Sequence, residues 1–299
     1  VFIGGLFVLA ANEMAVLSRH YGRRADADFY RLSAQKRGVT VVEHGWDGEW
    51  FLRAYDALGQ PVGSRLCDEG KIFIEPQGIC VLAGLGTAEG RAEQALASVR
   101  QHLASKHGIV LLHPAFTHYY LNLGEITSYP PGYKENGSVF CHTNPWIMAA
   151  EASLGHGDQA HDYYLRINPS AREAVSDVHR GEPYVYAQTI AGKEAPTFGE
   201  AKNTWLTGTA AWNYTAISQW ILGVRPTLDG LQIAPANPTA WKEVDLLRLY
   251  RGVTYKIHVE RRGGGNQVQL QVNGLPVTGN VIPIPAEGVR EVSVLAILS

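Results

Sequence analysis

Residues 129–142 read YPPGYKENGSVFCH, and their types could do more than turn a chain. Consecutive prolines lack N–H donors and the glycines add chain entropy, so the stretch is neither a helix nor a central strand. It is a loop, and it brings Tyr129, Tyr133, Lys134, Glu135, Asn136 and His142 together. Four further clusters have the same flavour: HGWDGEWFLRAYD (44–56), SDVHRGEPYVYAQTIAG (176–192), GEAKN (199–203) and WLTGTAAWNY (205–214). Aromatic rings beside carboxylates and amides suit sugars. Rings pack on the C–H faces of a pyranose, and planar polar groups pair with its hydroxyls.

A second chemistry is written into Thr207-Gly208-Thr209, which precedes an apolar helical run. A helix start offers unpaired N–H groups and the positive end of the macrodipole, so with a hydroxyl added it can hold an anion. The plainer reading is that Thr207 or Thr209 is an N-cap. His142 is equally two-sided, since a histidine after Phe140-Cys141 can be a core group or a phosphate donor. Lys134 and Glu135 can be a solvated pair, although a Pro-Pro turn and an aromatic cluster flank them.

The elements that must position these groups are helical through the first three quarters of the chain. Val1–Leu17 reads as a buried helix, interrupted at Glu13 before it reaches the roughly 20 apolar residues of a membrane span. Thr87–His107 has helical spacing and ends at Gly108. Thr143 or Asn144 can cap a helix with Pro145 at its first position, Ser170-x-x-Glu173 is a capping-box pattern, and Thr209–Leu222 is an apolar helix closed by Gly223. A short strand pair is expected from FLRAYD and KIFIEP. From about Gly230 the pattern changes to period two, in LRLYRGVTYKIHVERR and QVQLQVNGLPVTGNVIPI, with turns at GGGN and NG.

Composition excludes other classes. The 299 residues are 45% hydrophobic, and 26 Lys plus Arg stand against 28 Asp plus Glu for a net charge of -2. With no basic run, nucleic acid and anionic membrane are poor partners. Three cysteines without C-x-x-C spacing argue against a disulfide framework or a zinc site and fit a reducing cytoplasm.

The motifs SYPPGYKENG, VFCHTNPW, EPYVYAQ-x-IAG, GEAKN-x-WLTGTAAWNY and ILGVRPTLDGL, in that order, resemble the inverting disaccharide phosphorylases of glycoside hydrolase family 94. The resemblance implies a mostly α fold: the second half of an (α/α)6 barrel over 1–228, then a small antiparallel, jelly-roll-like β domain over 229–299. It implies that His142, Thr207 and Gly208 bind phosphate, that Glu135 and Gln188 hold the donor sugar, and that Glu125, Tyr129 and Lys134 lie on the acceptor side. The reaction expected is phosphorolysis of a β-linked disaccharide of the cellobiose, chitobiose or cellobionate type. Inorganic phosphate is the co-substrate, without cofactor or metal, and a homodimer is an option for the full-length parent.

Phosphate is already an anion, so the base that an inverting hydrolase needs for water is dispensable and only a general acid is required. The resemblance places that acid upstream of Val1, because Val1-Phe2-Ile3-Gly4 aligns with a family segment that follows it. Neither Trp46-Asp47-Gly48 nor Trp212-Asn213-Tyr214 is assigned the role. Two other readings stay open: a carbohydrate-binding segment without catalysis, and a glycoside hydrolase on the same scaffold.

Overall fold

A computed structural model describes residues 1–299, which gather into two compact units. The first comprises Val1–Ala150 and Tyr163–Asn213, the second Glu151–Asp162 and Tyr214–Ser299. The chain is mixed helix and sheet rather than mostly α, because the long loops of the first unit pair locally into ladders of two to four residues and the second unit is built of strands.

The first unit opens with α1 (Phe2–His20) and α2 (Arg24–His44), followed by α3 (Ile74–Leu82). Glycines let these helices approach closely: a Cβ on Gly4 would meet Val41 Cγ2 at 2.7 Å, and one on Gly5 would meet Cys80 Sγ at 3.0 Å. The expected burial of α1 does not hold. Gly5, Val8, Ala11 and Ser18 are buried, whereas Ile3 is 68% and Val16 54% exposed. Apolar residues surround the whole helix, and its neighbours cover one stripe of it. Its 19 residues are long and apolar enough to cross a membrane by length and composition alone, a test that core helices also pass.

FLRAYD and KIFIEP do not pair with each other. β1 (Ala54–Tyr55) pairs with β2 (Pro61–Val62), and β3 (Ile72–Phe73) with a later strand, Leu112–His113. Side chains join the two segments instead. Gln77 Nε2 donates to Phe51 O at 2.8 Å, its Oε1 accepts from Phe51 N at 2.9 Å, and Trp50 Nε1 donates to Lys71 O at 2.9 Å.

The helix expected over Thr87–His107 is shorter. Gly90, at φ 73°, starts α4 (Arg91–Ser98), a π-helical turn runs over Val99–Leu103, and β4 (Ala104–Ser105) folds back on β5 (Gly108–Ile109). Gly108 serves packing rather than a helix end, because a Cβ there would sit 2.7 Å from both Val139 and Ile167. β6 (Leu112–His113) follows.

Asn144 begins α5 (Asn144–Ser153) but does not cap it. Its amide is spent on Ile109, accepting from N at 2.8 Å and donating to O at 3.0 Å. Thr143 Oγ1 likewise donates backwards, to Phe140 O at 2.9 Å. Past α6 (Gly157–Ile167), the expected capping box gives way to 3-10 turns at Pro169–Ala171 and Glu173–Val175, then α7 (Ser176–His179). Arg172 is pulled inward there, donating to Arg166 O at 2.7 Å and to His107 Nδ1 at 2.6 Å.

A guanidinium has no acceptor, so His107 Nδ1 accepts and the ring is neutral. Burial first, and Arg172 second, push its pKa down to about 4. A histidine whose folded pKa lies below its free value is fully stabilising above about pH 6.5 and loses that contribution as pH falls towards 4. Stability is therefore expected to drop by on the order of 2 kcal/mol between about pH 7.5 and about pH 4.5 from this group. Urea unfolding at both pH values checks it: His107→Phe, which keeps a ring beside Phe198, should show the smaller drop.

The second unit is a β structure. β10 (Val224–Pro226), β11 (Gly230–Ile233) and β16 (Val281–Pro283) make one sheet. β12 (Glu243–Tyr250), β13 (Val253–Arg261), β17 (Glu291–Leu298), β14 (Val268–Val272) and β15 (Leu275–Val277) make another, in that order. Period-two alternation buries Tyr255, Ile257 and Val259 of β13 with Val292, Val294 and Ala296 of β17, against Leu231, Ile233 and Ile282 of the smaller sheet. Within the large sheet β13 and β17 run parallel and every other pair runs antiparallel.

Candidate functional site

The loop 129–136 is held from behind by Asn136, which is fully buried. Its Oδ1 accepts from Phe116 N at 2.7 Å, and its Nδ2 donates to Phe116 O at 2.9 Å and Tyr129 O at 2.7 Å. Gly132 N donates to Asn136 O at 2.8 Å, and Gly192 N to Gly132 O at 2.8 Å. Gly132 must be glycine, since its φ is 82° and a Cβ would lie 2.4 Å from Ala195 N. Asn136→Ala would strand a buried N–H and two carbonyls, at a cost of about 2–4 kcal/mol. Denaturant midpoints of the two proteins check this, and a change under about 1 kcal/mol would show the clamp to be dispensable.

On this frame four of the sequence-predicted residues come together. The 3-10 turn Gly124–Thr127 presents Glu125, whose Oε1 accepts from Tyr129 Oη at 2.9 Å. That carboxylate bond is the main reason the Tyr129 phenol is pushed up, with burial and the charges of Glu125 and Glu135 adding to it. The Lys134 ammonium sits 6.0 Å from the centre of the Tyr129 ring, on backbone at φ 50°, a left-handed position that costs a lysine on the order of 1 kcal/mol. Glu135 is different: its Oε2 is buried without a hydrogen-bond partner. A buried carboxylate oxygen without a donor is costly, and it is free to accept from a bound hydroxyl.

His142, Gln188, Thr207 and Gly208 form a second group around a three-stranded sheet of β7 (Val139–Phe140), β8 (Ala187–Ile190) and β9 (Ala201–Thr204). Gln188 O accepts from Cys141 N at 2.9 Å. Its side chain reaches the other way, Nε2 donating to Leu206 O at 3.2 Å and Oε1 accepting from Asn203 Nδ2 at 3.2 Å. Thr207 Oγ1 accepts from Thr209 N at 3.1 Å and lies 2.6 Å from Thr209 Oγ1, so it caps α8 (Thr209–Thr215). Gly208 is exposed, and open space lies where its Cβ would be. His142 stands edge-on between Phe140 and Trp146, and burial holds its pKa below the usual histidine value. Trp146 in turn meets Trp212 at 5.7 Å, one helical turn beyond Gly208. The imidazole is thus neutral at pH 7 and offers one N–H.

Asp47 and Glu49 stand apart. Asp47 closes a turn, accepting from Ser64 Oγ at 3.0 Å and Arg65 N at 2.6 Å, and Glu49 is exposed. Asn203 and Trp205, which the sequence places in the candidate clusters without individual roles, carry positive φ angles of 52° and 75°. Such backbone in non-glycine residues is costly and gathers at functional loops. Trp205, 66% exposed, donates from Nε1 to Glu182 at 3.0 Å and faces the exposed Tyr184 ring. The legible signal was an EPY-W pairing of aromatics with a carboxylate.

Loops that present an unpartnered carboxylate oxygen, an imidazole N–H and open aromatic faces over small sheets have the chemistry that sugars and anions require. The comparison with known families agrees. The model of the "Glycosyl hydrolase 94 superfamily, catalytic domain" matches residues 1–223, and the chain belongs to that superfamily. It is 34% identical over 278 residues to N,N'-diacetylchitobiose phosphorylase of Vibrio proteolyticus, covering 92% of this chain and 35% of that protein. It is 35% identical over 282 residues to solabiose phosphorylase of Paenibacillus borealis, covering 93% and 37%. The chain therefore spans little more than a third of these relatives. Among solved structures, a sialidase shares the fold with a TM-score of 0.60 at 15% identity, over 84% of this chain and 23% of that one.

Proposed function

We propose that the protein carrying this chain cleaves a β-linked disaccharide of the cellobiose, chitobiose or cellobionate type with inorganic phosphate, inverting the anomeric centre. A phosphate oxygen attacks the anomeric carbon, the bond to the leaving sugar's oxygen breaks, and a general acid protonates that oxygen. The products are an α-glycosyl 1-phosphate and a free sugar.

The observation that carries the reading is the buried, partnerless Glu135 Oε2 on the clamped loop, beside the Glu125–Tyr129–Lys134 group. Glu135 and Gln188 hold the donor sugar, and Glu125, Tyr129 and Lys134 the acceptor. His142, through its one N–H, and the open Gly208 with Thr207 receive phosphate. No residue of this chain takes the acid's part. In this reading residues 1–228 are one side of an (α/α)6 barrel and residues 229–299 the jelly-roll-like domain that follows it. The similarity to an N,N'-diacetylchitobiose phosphorylase and a solabiose phosphorylase supports the reaction class.

The test is product analysis with a full-length protein carrying this segment. Each candidate disaccharide is incubated with and without inorganic phosphate. Release of an α-glycosyl 1-phosphate only when phosphate is present is expected, and hydrolysis at an equal rate without phosphate would overturn the proposal.

A further inference from the structure

The second unit carries a cavity that the proposed reaction leaves unused. In its smaller sheet β10 buries Val224 and β11 buries Leu231 and Ile233, so Arg225 and Gln232, which are Cα partners in the ladder, stand on the opposite face. Asn280 extends this polar row, its Oδ1 accepting from Gln232 Nε2 at 3.5 Å. Over the row lies a cavity of about 480 Å3, walled by Trp220, Arg225, Asn266, Asn280 and the Ser153–Gly155 turn.

Two features of the wall are unusual. No carboxylate lines it, and the Arg225 guanidinium, 4.3 Å from the centre of the Trp220 ring, has its Nε buried without a partner. A guanidinium that has given up water and gained no anion is costly to keep. Asn266 does not satisfy it, because its amide is spent on Gly155 O at 2.6 Å and on Arg261 Nη2 at 3.2 Å. A flat cation stacked on indole, with its donor edge unspent, has the geometry for two parallel bonds to an oxyanion. The volume lies within the roughly 300–1,000 Å3 of small-molecule sites and far exceeds what a bare oxyanion fills. The remainder is polar, with the Asn280 Nδ2 left to donate.

We infer that this cavity binds a phosphorylated monosaccharide, its phosphate held by Arg225 stacked on Trp220 and its hydroxyls by the Asn280 amide. The inference is independent of the reading of the first unit, since none of these residues belongs to it.

The test is calorimetric titration of glucose 1-phosphate and glucose 6-phosphate into the 299-residue chain carrying His142→Ala, so that the candidate phosphate group of the first unit does not contribute. Saturable binding of at least one ester is expected, with inorganic phosphate and free glucose each weaker by about tenfold or more. Arg225→Gln should weaken the ester by about tenfold or more. Because that change also loses the stack on Trp220, Asn280→Asp is the second variant. It sits on a half-buried residue, keeps an acceptor for Gln232 and sets a negative charge at the cavity, so it should weaken binding as much while the circular dichroism spectrum stays the same. Absence of saturation with either ester at millimolar concentration overturns the site. Equal affinity in Asn280→Asp places the ester elsewhere and overturns it too, and inorganic phosphate binding as tightly as the esters overturns the sugar assignment.

Discussion

Glu135→Gln, made in a full-length protein carrying this segment, is expected to lower kcat/KM by roughly a hundredfold to a thousandfold while leaving the fold intact. The substitution is isosteric, and the loop's own bonds run through Asn136, Gly132 and Ser138 rather than through the Glu135 side chain. What is lost is a charged acceptor whose Oε2 has no protein partner. Hydroxyls bonded to it strengthen their bonds as the ring flattens towards an oxocarbenium-like state, so kcat should fall together with affinity. A binding role and an acid role are separable by donor chemistry. An acid variant regains rate on a glycosyl fluoride, whose leaving group needs no proton, whereas a variant that has lost a sugar contact does not. Strong rescue of Glu135→Gln by the fluoride would therefore make Glu135 the acid and overturn its assignment to the donor sugar.

The second large effect is expected on phosphate alone. His142→Ala and Thr207→Ala should each raise the KM for phosphate about ten- to a hundredfold, with the disaccharide KM changed far less. Each removes a donor to an anion and none to a sugar. For His142 the donor is the single N–H of a neutral ring, because burial between Phe140 and Trp146 holds its pKa down. Thr207→Ala also removes the cap on Thr209 N, so the variant's melting temperature must be followed alongside its kinetics. An unchanged phosphate KM in both variants would return His142 to a packing role and Thr207 to a cap.

What was legible before the structure is uneven, for physical reasons. The strands from Gly230 onward announce themselves because one face is core and the other solvent, so hydrophobicity alternates with the pleat. The loop 129–136 was legible because Pro-Pro and Gly leave few other conformations. α1 misled because an apolar residue reports its own preference and not whether a neighbour reaches it; Ile3 and Phe7 read as core and lie exposed. Thr87–His107 misled through Gly108, whose missing side chain answers to Val139 and Ile167, far away in sequence. The clamps by Asn136 and Asn144 were invisible for the same reason: an asparagine reads as a turn former or a cap, and its long-range partners Phe116 and Ile109 carry no mark. In the candidate site, residue types pointed to sugar and anion, while the fact that separates Glu135 from its neighbours, an unpaired buried oxygen, exists only in three dimensions.

The placement of β17 governs the order in which the chain can fold. Glu291–Leu298 are synthesised after the other four strands of the five-stranded sheet, yet they lie in its interior, pairing with β13 on one side and β14 on the other. Until they emerge from the ribosome, the hairpin of β12 and β13 and that of β14 and β15 have no common neighbour. Each then exposes a strand edge open to pairing with another chain. Closing the sheet joins segments more than thirty residues apart through the parallel β13–β17 ladder, a slow, high-contact-order step. A nascent chain stalled short of Glu291 thus holds two sticky half-sheets, open to misassembly until β17 is translated.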